Sequence, residues 1–110
     1  MQHKTVYISG PMTGIPELNY PLFNAVEHWL KDQGYDVQNP ASNHVTGLSG
    51  DELWREYMRL ALRQISYCDI VILLPGWEKS KGAMLEKHIA DTLGLQVAEL
   101  TEFGWQDNKV

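Results

Sequence analysis

One carboxylate in this chain has neighbours of a kind that could make it reactive. In CDIVILLPGWEKSKGAMLEKHIA, Cys68 to Ala90, an apolar run from Ile70 to Leu74 empties into a turn holding Pro75, Gly76, Ser80 and Gly82. A helix then begins, with Glu86 in its second turn if Ser80 is the N-cap. A capping-box partner would fall at Ala83, so capping does not account for Glu86. Helical side chains lean toward the N-terminus and lie over residues three and four positions earlier. For Glu86 these are Ala83 and Gly82, so the carboxylate leans over an uncrowded patch. Ser80 and the first helical N–H groups nearby suit an oxyanion or a phosphate. Spacing alone leaves two readings open: a carboxylate aimed at a ligand, or a solvated one facing Lys87.

The second candidate group lies near the N-terminus. Tyr7 and Ser9 stand in a short β-branched and aromatic stretch, and SGPMTG carries the chain onward from Ser9. Gly10 and Gly14 would let backbone approach a ligand closely; the plainer reading is a tight turn. The loop is neither GxGxxG nor a Walker loop, which argues against dinucleotide binding and NTP hydrolysis. Trp77, beside Gly76, is placed either to stack on a base or sugar or to pack within its loop. His3, His28, His44 and His88 lack metal-ligand spacing, so no metal is expected. Cys68 reads as a small buried apolar residue, and Asp69 as a loop-orienting or backbone-capping group.

Positioning these groups falls to alternating strands and helices. Lys4–Ser9 reads as a first strand ending at Gly10-Pro11. Asn19 can cap a helix from Tyr20 to Gln33, with Leu22, Val26, Trp29 and Leu30 on one face and Gly34 ending it. YDVQN is a short second strand. After a polar loop, Ser49 or Asp51 starts a second helix, in which Leu53, Trp54, Tyr57, Met58, Ala61, Leu62 and Ile65 recur at helical spacing. DIVILL is a third strand, apolar throughout as a central parallel strand would be. A third helix runs from about Lys81 to Leu93, and LQVAEL is a fourth strand. The tail TEFGWQDNKV has no clear period. The order βαβαβαβ predicts an α/β fold, a parallel sheet of four to five strands in order 2-1-3-4 with helices on both faces. Ligands of such sheets lie beyond the carboxyl ends of the strands, where the loops after Ser9 and Leu74 both fall.

Composition bounds the partners. The 110 residues, 44% hydrophobic and 21% charged, suit one soluble domain spanning 1–110. A net charge of −5 without a basic block argues against nucleic acid polymers and anionic membrane, and leaves room for one small phosphate. No apolar run approaches the ~20 residues of a membrane span. The lone Cys68 excludes an intramolecular disulfide and fits a reducing cytoplasm.

VYISGPMTG, the YMR of the second helix and CDIVILLPGWEKSKGAMLEKHIADTLGL together resemble a phage- and bacteria-associated group of small proteins. That group is similar to the nucleoside 2-deoxyribosyltransferases and deoxynucleoside monophosphate N-glycosidases. The resemblance covers nearly the whole chain. It implies a flavodoxin-like fold and cleavage or transfer at the N-glycosidic bond of a 2′-deoxynucleoside or its 5′-monophosphate. It makes Glu86 the nucleophile, forming a covalent deoxyribosyl intermediate, and Tyr7 the residue that positions it. Ser9, Gly10, Gly14, Gly76, Trp77, Ser80 and Gly82 then bind substrate. The transferases often carry Asp at the position of Ser80, facing the 5′-hydroxyl, whereas the monophosphate hydrolases carry Ser, facing the phosphate. No cofactor is implied, and a homo-oligomer is, with the aromatics of FGWQDN free to serve its interface. One departure stands out: relatives usually place an Asp on the second helix to assist the leaving base, and the matching residue here is Ala61. Ala61 weighs toward a rival class, a nucleotide-binding module without turnover. A third reading is a phage or prophage accessory adaptor that binds a protein through loop 40–50.

Overall fold

The computed structural model describes residues 4–105. Four strands, β1 (Thr5–Ser9), β2 (Asp36–Gln38), β3 (Ile70–Leu73) and β4 (Gln96–Glu99), alternate with three helices, α1 (Tyr20–Asp32), α2 (Gly50–Ile65) and α3 (Lys81–Thr92). All strand pairs are parallel, in the order β2-β1-β3-β4. This is the parallel order expected from the alternating pattern, and the α/β flavodoxin-like fold that the resemblance implies. Among the described residues no helix is long and apolar enough to cross a membrane.

Strand side chains alternate between faces, and the two faces have separate cores. Val6, Ile8, Ile70 and Ile72 pack with Phe23, Val26 and Leu30 of α1. Tyr7, Val71 and Leu73 pack with Ala61 and Ile65 of α2 and Ala90 of α3. β3 is buried at every residue, which is why its sequence is continuously apolar.

Several local expectations are corrected. Asn19 is the N-cap residue of α1, but its side chain makes no cap bond. It adopts φ +64°, after Glu17 and Leu18 at +54° and +53°, and its amide donates to the Pro11 carbonyl oxygen instead. α1 buries Phe23, which the apolar face omitted, while Leu22 and Trp29 are only partly buried. Leu62 lies outside the buried stripe of α2, 41% exposed. Ser49 is the N-cap residue of α2, but its hydroxyl makes no cap bond. The tail aromatics have a place within the monomer: Trp29 meets Phe103 and Trp105 edge-on, and Tyr35 packs against Phe103. They therefore carry no argument for an interface. Residues 106–108 of the same segment lie outside the described residues.

Candidate active site

The site is built from one strand and one helix. Tyr7 and Ser9 are two apart on β1, so both project toward the α2 and α3 side of the sheet. α3 turns Ala83, Glu86 and Ala90 inward. The two alanines are almost fully buried, and their small size lets the helix lie close to the sheet. Glu86, between them, reaches β1. The Tyr7 hydroxyl donates to Glu86 Oε2 at 2.6 Å and the Ser9 hydroxyl donates to Oε1 at 2.6 Å. Each carboxylate oxygen thus holds one short O–H donor, the geometry of charge-assisted bonds.

Glu86 is only 7% exposed. Burial pushes its carboxyl up to about 7, and the bonds from Ser9 and Tyr7 offset only part of that rise. Burial, followed by the charge and hydrogen bond of Glu86, holds the Tyr7 phenol well above its ordinary value, so Tyr7 remains a donor. The result is a carboxylate oriented by two hydroxyls, with its ionisation raised toward neutral pH. Such a group can act as a nucleophile or a general base.

The other candidates fall around this centre in different ways. Ser80 caps α3, its Oγ accepting the Ala83 N–H at 3.1 Å, which leaves its own O–H hydrogen for an acceptor at the helix start. Gly82 faces α2: a Cβ there would lie 3.5 Å from Met58 Sδ and 4.0 Å from Trp54 Nε1. Trp54 and Met58 of the α2 stripe thus stand beside Gly82, one turn ahead of Glu86 on α3. This is legible in the sequence, because α2 runs back across the parallel sheet and its first turns must stand at the carboxyl edge. Lys81 Nζ sits 4.3 Å above the Trp54 ring.

The glycines divide. A Cβ on Gly10 would lie 2.7 Å from Leu74 Cβ, so the close approach at Gly10 is to the end of β3 rather than to a ligand. Gly76, at φ +87°, brings its turn against Pro11. Gly14 adopts φ +83° in open space. Trp77 is half-buried, its indole N–H donating to Glu99 Oε1 at 3.2 Å with Lys87 over its ring. Its polar edge is already engaged on the β4 side. Ala61, 3% exposed, packs with Tyr7 in the core and supplies no polar group.

Among the described residues no group of three or more His, Cys, Asp or Glu side chains stands together as a metal site. A broad concavity elsewhere is lined by Thr5, Lys31, Tyr35, Asp36, Gln38 and Tyr67. Lys31 there is paired with Glu27.

No curated protein matches the sequence. Among solved structures, the chain is similar to a 2-desoxiribosyltransferase from Leishmania mexicana, with a TM-score of 0.64 and 24% identity. The match covers 87% of this chain and 63% of that one, so the chain spans less than two-thirds of that transferase's length. The likeness establishes a shared fold. Residues 4–99, from the start of β1 to the end of β4, match the family model described as Domain of unknown function (DUF4406), and the chain belongs to that family.

Proposed function

We propose that this protein cleaves or transfers at the N-glycosidic bond of a 2′-deoxynucleoside or its 5′-monophosphate, with Glu86 as nucleophile. The observation that carries this is the buried Glu86 carboxylate, held through both oxygens by Tyr7 and Ser9. An ionised oxygen of Glu86 attacks the anomeric carbon as the base leaves with the bonding electrons. The carboxylate also favours the positive charge that builds on the sugar, as in retaining glycosidases. The resulting glycosyl ester is then resolved by water or by a second base. The fold resemblance to a deoxyribosyltransferase supports the choice of sugar.

The helix start offers the phosphate subsite. The Ser80 hydroxyl, the first N–H groups of α3 and the flanking Lys79 and Lys81 can hold a dianion. Monophosphates should therefore bind at least about tenfold, or ~1.4 kcal/mol, more tightly than nucleosides. Ser80→Asp should shrink that preference in calorimetric titration. Self-association belongs to the same proposal, with Leu62, Met84 and Leu85 as exposed apolar residues of α2 and α3. Light scattering at micromolar concentration reads it.

The direct test is incubation with each deoxynucleoside and its monophosphate, followed by chromatography for free base. Base release by the native protein and none by Glu86→Gln supports the assignment. Tight binding without release would instead favour a nucleotide-binding module, the class toward which the apolar Ala61 leans.

A further inference from the structure

The two donors on Glu86 are not equivalent. Tyr7 and Ser9 each give one hydrogen bond of 2.6 Å, to Oε2 and Oε1 respectively. The Tyr7 ring is locked in the core with Ala61 and Ile65 of α2, Val71 and Leu73 of β3 and Ala90 of α3. Its phenol cannot move unless that packing moves. Ser9 is the last residue of β1, and its hydroxyl turns about a single side-chain torsion. It stands two residues, roughly 6.6 Å, further along the strand, nearer the carboxyl edge where ligands of such sheets lie. Yet Ser9 is 0% exposed, while Glu86 keeps 7%. A ligand therefore meets the Glu86 carboxylate, and reaches Ser9 only through it.

An oxygen that bonds to carbon ceases to be a good hydrogen-bond acceptor, because its charge is lost and a lone pair is consumed. The other carboxylate oxygen becomes the ester carbonyl and goes on accepting. A phenol is also a stronger acid than an alkyl alcohol, so its bond holds more of the negative charge in place. The oxygen with the weaker and movable donor is thus the one free to attack. The elements packed around Tyr7 present Val71 and Leu73 from β3 and Ala61 and Ile65 from α2, none of them ionisable. Against burial, the bonds from Ser9 and Tyr7 are what favour the ionised form of Glu86.

We infer that Ser9 is a positioning residue of the nucleophile, the releasable donor on the attacking oxygen, and that Tyr7 is the fixed donor on the oxygen that becomes the ester carbonyl. This rests on Glu86 acting as the nucleophile proposed above. In the first step Oε1 bonds to C1′, the C1′–N bond breaks with its electron pair leaving on the base, and the base takes up one proton from solvent. The Ser9 hydroxyl turns from Oε1 as that oxygen loses its charge. In the second step a water oxygen bonds to C1′, the C1′–Oε1 bond breaks with its electrons returning to the carboxylate, and one proton passes to solvent. Ser9 then donates to Oε1 again and resets it for the next turnover, while Tyr7 stays on Oε2 throughout. Removing the Ser9 hydroxyl therefore has two opposed effects. Glu86 ionises less readily, and once ionised its Oε1 is the better nucleophile.

The test follows single-turnover base release across pH, with the four common 2′-deoxynucleoside 5′-monophosphates as probes, in the native protein, Ser9→Ala, Ser9→Cys, Tyr7→Phe and Glu86→Gln. For Ser9→Ala the rising limb should move up by about half a pH unit or more, with the alkaline plateau within about threefold of native. Ser9→Cys, close to native in size and with a weak S–H donor, should move the limb less, and keeps the comparison open if Ser9→Ala does not fold. Tyr7→Phe should lose about tenfold or more on the plateau as well. A plateau in the Ser9 variants that falls as far as that of Tyr7→Phe overturns the division of the two oxygens and leaves the nucleophile assignment intact. An unmoved limb with a raised half-saturating substrate concentration makes Ser9 a substrate-binding residue and overturns the inference in the same way. Release by Glu86→Gln at the native rate, or by no protein at all, overturns the proposed function and this inference with it.

Discussion

Two glutamates on opposite sides of the sheet hold nearly the same posture and come to opposite states. Glu27 of α1 accepts from Asn39 Nδ2 at 2.8 Å on one oxygen and pairs with Lys31 Nζ at 2.6 Å on the other. Glu86 of α3 likewise has both oxygens bonded, one donor to each, from residues of the neighbouring strand. Burial raises both carboxyls. At Glu27 the bonds from Lys31 and Asn39 and the Lys31 charge outweigh it, and the group falls below its ordinary value. At Glu86 hydroxyls replace the ammonium, burial is nearly complete, and the group rises to about 7. Hydroxyl donors fix the direction of a carboxylate without cancelling its charge. A lysine does both, and leaves nothing to react.

The sharpest way to break this contrast is to remove the charge at each position in turn. Glu86→Gln should lower base release by roughly 10⁴-fold or more, on the scale seen when a nucleophile is lost. Glu27→Gln should change turnover by less than about twofold. Steady-state assays on both variants decide whether the hydroxyl-held carboxylate alone is reactive.

Stability should divide along the same line. A carboxyl raised from 4.5 to about 7 binds more protons in the folded than in the unfolded state between those values. Its contribution is therefore fully present below about pH 4.5 and is lost as pH rises through about 7. The shift corresponds to roughly 3 kcal/mol. Glu86→Gln should remove this loss and be more stable than the native protein at pH 8, by up to about that amount, as measured by urea unfolding across pH. A variant that is inactive yet more stable would mark Glu86 as kept for chemistry. A native stability unchanged between pH 5 and 8 would mean that the charge is compensated.

A finer probe is Tyr7→Phe, which takes the donor from Oε2. The remaining Ser9 bond offsets less of the burial, so the ionisation of Glu86 should move upward and the rising limb of the pH–rate profile toward alkali. A fall in kcat of about 10- to 100-fold is expected, of the order given by one positioned polar group. An unshifted limb would show that Tyr7 does not govern Glu86.

The smallest effect should come from the stability of Glu27→Gln, a loss of about 1 kcal/mol or less that diminishes with added salt, because the Lys31 pair is solvent-accessible. A thermal melt series in salt measures it.

The sheet order and the approach of Glu86 were legible because they rest on local patterns. βα alternation fixes the crossovers, an unbroken apolar run marks β3, and Gly82 and Ala83 lie one turn ahead of Glu86. Features set by distant contacts were not legible. Asn19 looks like a cap, but its amide is captured by the Pro11 carbonyl. The amphipathic stripe of α2 shows which face turns inward but not how deeply each residue sits: Met58 is buried, whereas Trp54, one turn earlier, is only partly so. Phe103 and Trp105 show no period because a turn at Gly104, with φ +108°, folds them back onto Trp29. The resemblance makes Ser9 a substrate-binding residue of the first strand, and nothing local announces its bond to Glu86, since that depends on how α3 lies across β1.

The alternation of Tyr7 and Ser9 on β1 also bears on how the chain finds its fold. β1 is flanked by β2 and β3 in a fixed register, Tyr7 opposite Gln38 and Val71. A slip by one residue would turn both hydroxyls to the α1 side and bring Val6 and Ile8 beneath α3. Glu86 would then be pressed against hydrocarbon with no donor, a misalignment opposed by several kcal/mol of desolvation at neutral pH. The pair of hydroxyls facing Glu86 thus also penalises the strand-pairing mistake that uniform aliphatic strands would tolerate most easily.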